Sequence, residues 1–195
     1  YKIGNLEKSN AIYNIISKKG PIYFWHASKE ISKILIKEEK NEQALKLLEN
    51  SYQKIYSPTV YEIYDYANFL KNNKKFDLSL SYYTKVINLI DKKHELYPKA
   101  TDGRGIVYEQ LGKWEEAEKD FLESLSVAPD QPYVINYLAY SWIEKGVNTK
   151  RALEMLKKAN KLKKNDGYII DSLGWALYKL KRYEEAKKFL QLAVQ

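Results

Sequence analysis

The sequence predicts an all-α fold, a solenoid of stacked helix-turn-helix units, on three observations. Small residues recur in one place: Ala44, Ser79, Ala117, Ala152 and Ala186 follow one another at steps of 35, 38, 35 and 34 residues. Around each lies the same frame of helical stretch, polar turn and second helical stretch, often closed by a proline. No stretch shows strand alternation with hairpin turns. Such folds rarely do chemistry; they present an extended surface that holds another molecule.

Apolar residues spaced by three and four predict helices over 9–19, 24–38, 41–55, 59–72, 75–92, 97–111, 114–127, 131–145, 149–162, 166–179 and 182–194. Gly4-Asn5-Leu6-Glu7-Lys8-Ser9 reads as a turn before the first of these, with Ser9 in the small-residue place and Pro21 closing the unit. Tyr1-Lys2-Ile3 then reads as the tail of a helix whose start is missing. Next come paired helices carrying Ser32 with Ala44, Ala67 with Ser79, Gly105 with Ala117, and Gly174 with Ala186, each pair twelve residues apart. Ala139 and Ala152 are thirteen apart, and the turn Gly146-Val147-Asn148-Thr149-Lys150 is expected to absorb the extra residue. A second insertion near Asp91-Lys92-Lys93-His94-Glu95 is expected to lengthen a helix or loop. Ser57-Pro58, Ala128-Pro129 and Asn165-Asp166-Gly167 mark joins between units. Glu115-Glu116 and Glu184-Glu185 fall in first turns, where the helix dipole favours negative charge. The expected organisation is one solenoid over 1–195, with a partial repeat at 1–21 and repeats at 22–57, 58–97, 98–131, 132–166 and 167–195. With no initial Met and an end inside a helix, it reads as a fragment of a longer repeat protein.

Two stretches carry a family resemblance. One is Gly105-Ile106-Val107-Tyr108-Glu109-Gln110-Leu111-Gly112-Lys113-Trp114-Glu115-Glu116-Ala117, with Phe121 and Pro129 after it. The other is Ser172-Leu173-Gly174-Trp175-Ala176-Leu177-Tyr178 followed by Arg182-Tyr183-Glu184-Glu185-Ala186, Leu190 and Ala193. Both resemble the tetratricopeptide repeat (TPR) family. The resemblance implies a right-handed superhelix lined inside by the first helix (helix A) of each repeat. It also implies that small residues at the eighth and twentieth positions let paired helices approach. Arg104, at the seventh position, departs from the family's apolar preference. Trp114 and Tyr183 are expected to be packing residues.

Composition excludes several classes. Cysteine is absent, so disulfides and cysteine-metal sites are excluded. No apolar run approaches the roughly 20 residues that span a bilayer. The net charge is +8, larger in the first half, and Lys, Asn, Ile and Tyr are abundant, as an AT-rich genome encodes. The run Lys157-Lys158-Lys161-Lys163-Lys164 reads as a solvated helix end. His26 and His94 stand in different repeats without partners at metal-ligand spacing. Gly103-Arg104-Gly105 is helix packing rather than a phosphate loop, and Asp166 is an ordinary helix cap. The reading is therefore non-enzymatic, with no metal and no cofactor.

In the family, the second, fifth, ninth and twelfth positions of helix A face the groove. Carried over, these are His26, Lys29, Lys33 and Ile36; then Tyr61, Tyr64, Asn68 and Lys71; then Lys99, Asp102, Ile106 and Glu109. The next repeats supply Tyr133, Asn136, Tyr140 and Ile143, and Tyr168, Asp171, Trp175 and Tyr178. Aromatic side chains give large contact area at low entropic cost, and Asn clamps peptide amides. The expected partner-binding residues are Tyr61, Tyr64, Asn68, Lys99, Asp102, Tyr133, Asn136, Tyr140, Tyr168, Asp171 and Trp175. Lys29, Lys33 and Asn68 partly match the clamp that some family members place on a carboxylate, but Gly103 stands where it needs a cation.

Two functions follow. The first is a protein-protein interaction scaffold holding a peptide or helix of a partner. The alternative is binding of a polyanion, RNA or an anionic glycan, through surface lysines. Asp102, Glu109 and Asp171 on the mapped groove favour the first and disfavour nucleic acid. Residues 136–142, 152–156 and 166–178 are also similar to proteobacterial envelope TPR proteins, including outer-membrane lipoproteins that scaffold a periplasmic processing protease. That resemblance implies a periplasmic or outer-membrane-associated location, with the cytoplasm as the other compartment, and an envelope protease or assembly factor as partner.

Overall fold

A computed structural model describes Ile15 and residues 20–194. The expected helix over 9–19 and the Ser9 turn before it lie outside the described residues, Ile15 apart. Among the described residues there are ten long α-helices and no strand: α1 (Pro21–Lys37), α2 (Asn41–Gln53), α3 (Val60–Asn72), α4 (Phe76–Leu89), α5 (Leu96–Gln110), α6 (Trp114–Val127), α7 (Pro132–Lys145), α8 (Thr149–Leu162), α9 (Gly167–Lys179) and α10 (Tyr183–Ala193). The chain divides after Ile90 into two compact units. In the first, α1 pairs with α2 and α3 with α4, and α2 packs on α3. In the second, α5/α6, α7/α8 and α9/α10 form hairpins, and α7 and α8 both pack on α9.

The hairpins close by one repeated turn. The amides of Lys40, Lys75, Lys113, Val147 and Arg182 donate to carbonyls five residues back, on Leu35, Leu70, Tyr108, Trp142 and Leu177, at 2.8–3.0 Å. This bond is the outer bond of a Schellman motif, which needs a left-handed residue just before the donor. Glu39, Lys74, Gly112, Gly146 and Lys181 fill that place with φ of 62°, 59°, 74°, 68° and 62°. The extra residue of the fourth turn is absorbed by a second left-handed residue, Asn148, at φ 50°.

Helix pairing follows the small residues. Ala44, Ala67, Ser79, Ala117, Ala139 and Ala152 are fully buried. Where serine takes such a place its hydroxyl bonds across the pair: Ser79 Oγ donates to the Ala67 carbonyl at 2.8 Å and Ser32 Oγ to that of Ala44 at 3.4 Å. A Cβ on Gly174 would stand 2.8 Å from Leu190 side-chain atoms and 3.1 Å from its backbone nitrogen, so the close approach of α9 to α10 requires glycine. One on Gly105 would stand 2.9 Å from the Phe121 ring.

Two boundaries differ from expectation by three residues, and the others by two at most. The first helix starts at Pro21, three residues early, because proline suits a first helical position. The fourth ends at Leu89, since Ile90 is extended, and the insertion becomes a turn. There Asp91 Oδ1 accepts the Lys93 amide at 2.7 Å, and His94 Nδ1 accepts the Leu96 amide at 3.1 Å. His94 thus serves the start of α5.

The first unit holds an aromatic nest. Tyr52 and Tyr66 stack at 4.1 Å, with Trp25 and Tyr82 edge-on to both. Burial pushes the Tyr66 hydroxyl up to about 12 and that of Tyr52 further. The second unit has an aliphatic core in which Leu138, Leu156 and Phe121 are fully buried, with Trp142 among them. Arg104 adds an ion pair: its Nε and Nη2 donate to the two Asp120 carboxylate oxygens at 2.7 and 2.8 Å. Asp120 is buried, so this bidentate pair stands where the repeat pattern puts an apolar contact.

Candidate functional site

The first unit places its predicted residues on α3. Tyr61 is exposed in the first turn. Tyr64 is half-buried and lies edge-on to Tyr83. Asn68 is occupied internally: its amide donates to the Tyr64 carbonyl at 3.1 Å, and its oxygen accepts from the buried Tyr83 hydroxyl at 2.7 Å. Lys29 pairs with Asp65 and lies 5.7 Å from the Trp25 ring, while Lys33 pairs with Glu30 at 2.6 Å. The partial carboxylate clamp is thus already satisfied within the chain at Lys29 and Asn68. Lys99, on α5, belongs to the second unit.

In the second unit, polar contacts join α5, α7 and α9. Lys99 is exposed, and Asp102 and Glu109 are half-buried, along α5. The Tyr137 hydroxyl on α7 donates to Glu109 Oε2, and burial with that bond raises its pKa. The Tyr168 hydroxyl on α9 is pushed up by burial and then by the carboxylates of Glu109 and Asp171. Tyr140, 37% exposed, is pushed up by burial and then by Glu144, Asp171 and Tyr168. Trp175 Nε1 donates to Glu144 Oε1 at 2.5 Å, and Lys179 reaches the same oxygen at 3.5 Å. Glu144 is held below the usual carboxylate range by the indole donor and then by Lys179. Trp175 stacks on Tyr178 at 5.4 Å, and Lys179 sits 5.0 Å from the Trp175 ring.

Tyr133 closes the α9 end. Its hydroxyl donates to Asp166 Oδ2 at 2.8 Å and is reached by Lys163, whose ammonium lies 4.1 Å from the ring centre. Asp166 also accepts the Ile169 amide at 3.3 Å as the cap of α9.

Three expectations are corrected. Asn136, expected to face a partner, is 0% exposed, and neither amide atom has a hydrogen-bond partner among the described residues. Ile143 is likewise buried, in the core between hairpins. Tyr183, expected to pack, is exposed, and its ring lies tilted beside that of Tyr178 with centres 5.5 Å apart. Position within a repeat gives the face of a helix, but it does not give how deeply neighbouring helices cover that face. Sequence reasoning also missed Glu144 and Tyr137. Glu144 follows Tyr140 by four residues, and that spacing on one helix face was the available signal.

The lysine run at the end of α8 is largely engaged. Lys157 pairs with Glu154 at 2.7 Å, Lys158 with Asp130 at 2.8 Å and Lys163 with Asp166 at 3.3 Å. Among the described residues no group of three or more His, Asp or Glu could hold a metal, and no helix is long and apolar enough to cross a membrane.

Comparison with known proteins gives a consistent picture. Residues 103–131 and 170–195 match the tetratricopeptide repeat family model. A TPR repeat-containing protein of Pseudomonas aeruginosa is 29% identical over 92 residues, 47% of this chain. The match spans 16% of that relative's own length. Among solved structures, BtubC from P. vanneervenii superimposes with a TM-score of 0.73 at 15% identity, over 98% of this chain and 87% of that one. MamA from Desulfovibrio magneticus gives 0.66 at 15% identity, over 87% and 93%. Pseudomonas aeruginosa pilF gives 0.68 at 18% identity, over 88% and 75%. These likenesses establish the fold class, an all-α helical-repeat solenoid.

Proposed function

We propose, from the premise that this is a chain of tetratricopeptide repeats, that it is a non-catalytic scaffold binding a peptide or helix of a partner protein on its helix-A faces. Domains of this family are generally protein-protein interaction scaffolds. The supporting observation is the line of Tyr133, Tyr140, Tyr168 and Trp175 in the second unit. These rings remain exposed or half-buried, while residues beside them on the same helices such as Val134, Ala139, Ile169 and Ala176 are buried. Exposed aromatic groups beside polar ones are the usual anchors of protein recognition. Tyr61 and Tyr64 offer similar chemistry on the first unit. The resemblance of residues 136–142, 152–156 and 166–178 to envelope scaffolds makes an envelope protease or assembly factor the first partner to test.

The test is retention of proteins from a native envelope extract by this chain and by a Tyr140→Ala/Trp175→Ala version at matched salt, followed by titration of the purified candidate. The expected result is a protein retained by the first and lost by the second, with affinity reduced at least tenfold, about 1.4 kcal/mol. Nucleic acid or glycan retained equally by both and released by moderate salt overturns the reading in favour of the lysines.

A further inference from the structure

We infer that the partner segment bound by the second unit is basic, its Lys or Arg side chains seated between the tyrosines and carboxylates of α5, α7 and α9. This rests on the reading of those helices as a peptide site. The carboxylates on that face, counted with the groups on the Tyr133 ring, are Asp102, Glu109, Glu144, Asp166 and Asp171, against three cations, Lys99, Lys163 and Lys179. Lys179 already faces Glu144. The face is therefore net negative within a chain of net charge +8. The excess lysines of this unit lie elsewhere, on α8, α10 and the turns. A face whose sign opposes that of the whole molecule selects its partner by local complementarity rather than by overall attraction.

Four contacts, made by two cations, support the pairing chemistry. Lys163 lies 4.1 Å from the Tyr133 ring, and Lys179 lies 5.0 Å from the Trp175 ring. Each of these cations also reaches a carboxylate, Asp166 at 3.3 Å and Glu144 at 3.5 Å. The unit's own ammonium groups thus already adopt the arrangement of cation over ring and beside carboxylate that a guest would adopt. Asp171 is exposed, has no ion-pair partner among the described residues, and its negative charge, after burial, helps push up the Tyr140 and Tyr168 hydroxyls. Asp171 follows Tyr168 by three residues on α9, so a guanidinium bound there would find a carboxylate with a phenol one turn away.

The test uses a random 12-residue peptide library displayed on phage and selected against the full 195-residue chain. Clones retained by the chain and lost on the Tyr140→Ala/Trp175→Ala version are expected to be enriched in Lys and Arg. A synthetic peptide from the strongest such clone should lose about tenfold in affinity against Asp171→Asn/Glu144→Gln, and should weaken as NaCl rises from about 50 to about 300 mM. Both replacements are isosteric, and circular dichroism of the variant checks that the fold is kept. Clones that depend on Tyr140 and Trp175 but lack basic residues overturn the inference and leave the peptide site standing. The same holds for a basic clone whose affinity ignores the carboxylate changes. Clones insensitive to the aromatic double change, or no selected clones, overturn the peptide site itself and the inference with it.

Discussion

Arg104 and Asp120 form the pair most exposed to single substitutions, because each is satisfied by the other in a largely buried setting. Changing Arg104→Leu leaves the Asp120 carboxylate buried without its partner, and a loss of about 3–5 kcal/mol is expected in denaturant unfolding. Arg104→Leu/Asp120→Leu should recover most of it, since well-packed apolar residues commonly replace buried ion pairs at little net cost. If the double change is as unstable as the single one, the pair is not the source of the effect. Tyr52 and Tyr66 supply a second prediction. Their folded-state pKa values lie above the unfolded value of about 10, so their contribution is complete below pH 10 and fades as pH rises through about 12 for Tyr66. Alkaline unfolding followed by circular dichroism should shift to higher pH in Tyr52→Phe. That change should also raise stability at neutral pH, by up to about 1 kcal/mol, because the buried Tyr52 hydroxyl has no partner among the described residues. Arg104 was visible in the sequence as a break in the apolar pattern. Its partner was not, because Asp120 reads as an ordinary polar residue of a helix and nothing in the spacing ties the two.

At the scale of elements, the hairpin turn is the most uniform object in the molecule. Three of its five left-handed places are held by residues with a Cβ, Glu39, Lys74 and Lys181. A left-handed L-residue costs roughly 1–2 kcal/mol, and glycine gives part of that back through its own chain entropy. Lys181→Gly should therefore stabilise the α9/α10 hairpin by about 0.5–1 kcal/mol, read as a rise in the thermal midpoint. A fall in the midpoint would show that the Lys181 side chain matters more than the backbone conformation. The helices themselves were legible: the small-residue period places each pair, and the serine hydroxyls of Ser32 and Ser79 bond across it at the expected register. Helix ends were less legible at α1 and α4. Proline at a first position and an extended Ile90 are decided by local backbone energetics that apolar spacing does not encode.

For the whole molecule, a repeat fold gains stability from each hairpin and from its contacts with neighbours. Within the second unit those gains are unequal. The α7 helix buries eight residues, whereas α10 buries only Ala186 among its described side chains. Native-state hydrogen exchange should therefore show the strongest amide protection in α7 and the weakest in α10. Equal protection across both helices would mean that the unit opens only as a whole. The candidate site divides along similar lines. Exposure of Tyr133, Tyr140 and Tyr168 could be anticipated from position in the repeat. The depth of Asn136 and the roles of Glu109 and Glu144 depend on which residues of three separate helices meet, and one sequence does not state that.

The bond from the Trp175 indole to Glu144 has an optical consequence. Of the chain's four tryptophans, Trp25 and Trp142 are fully enclosed and Trp114 packs against the core. Trp175 alone combines partial exposure with a charged acceptor and a stacked phenol. A cation drawn to Glu144 would change the field along that indole and its access to water. The chain therefore carries its own unlabelled fluorophore at the candidate face. A shift in emission on titration, absent in Trp175→Phe, would report occupancy of that face directly.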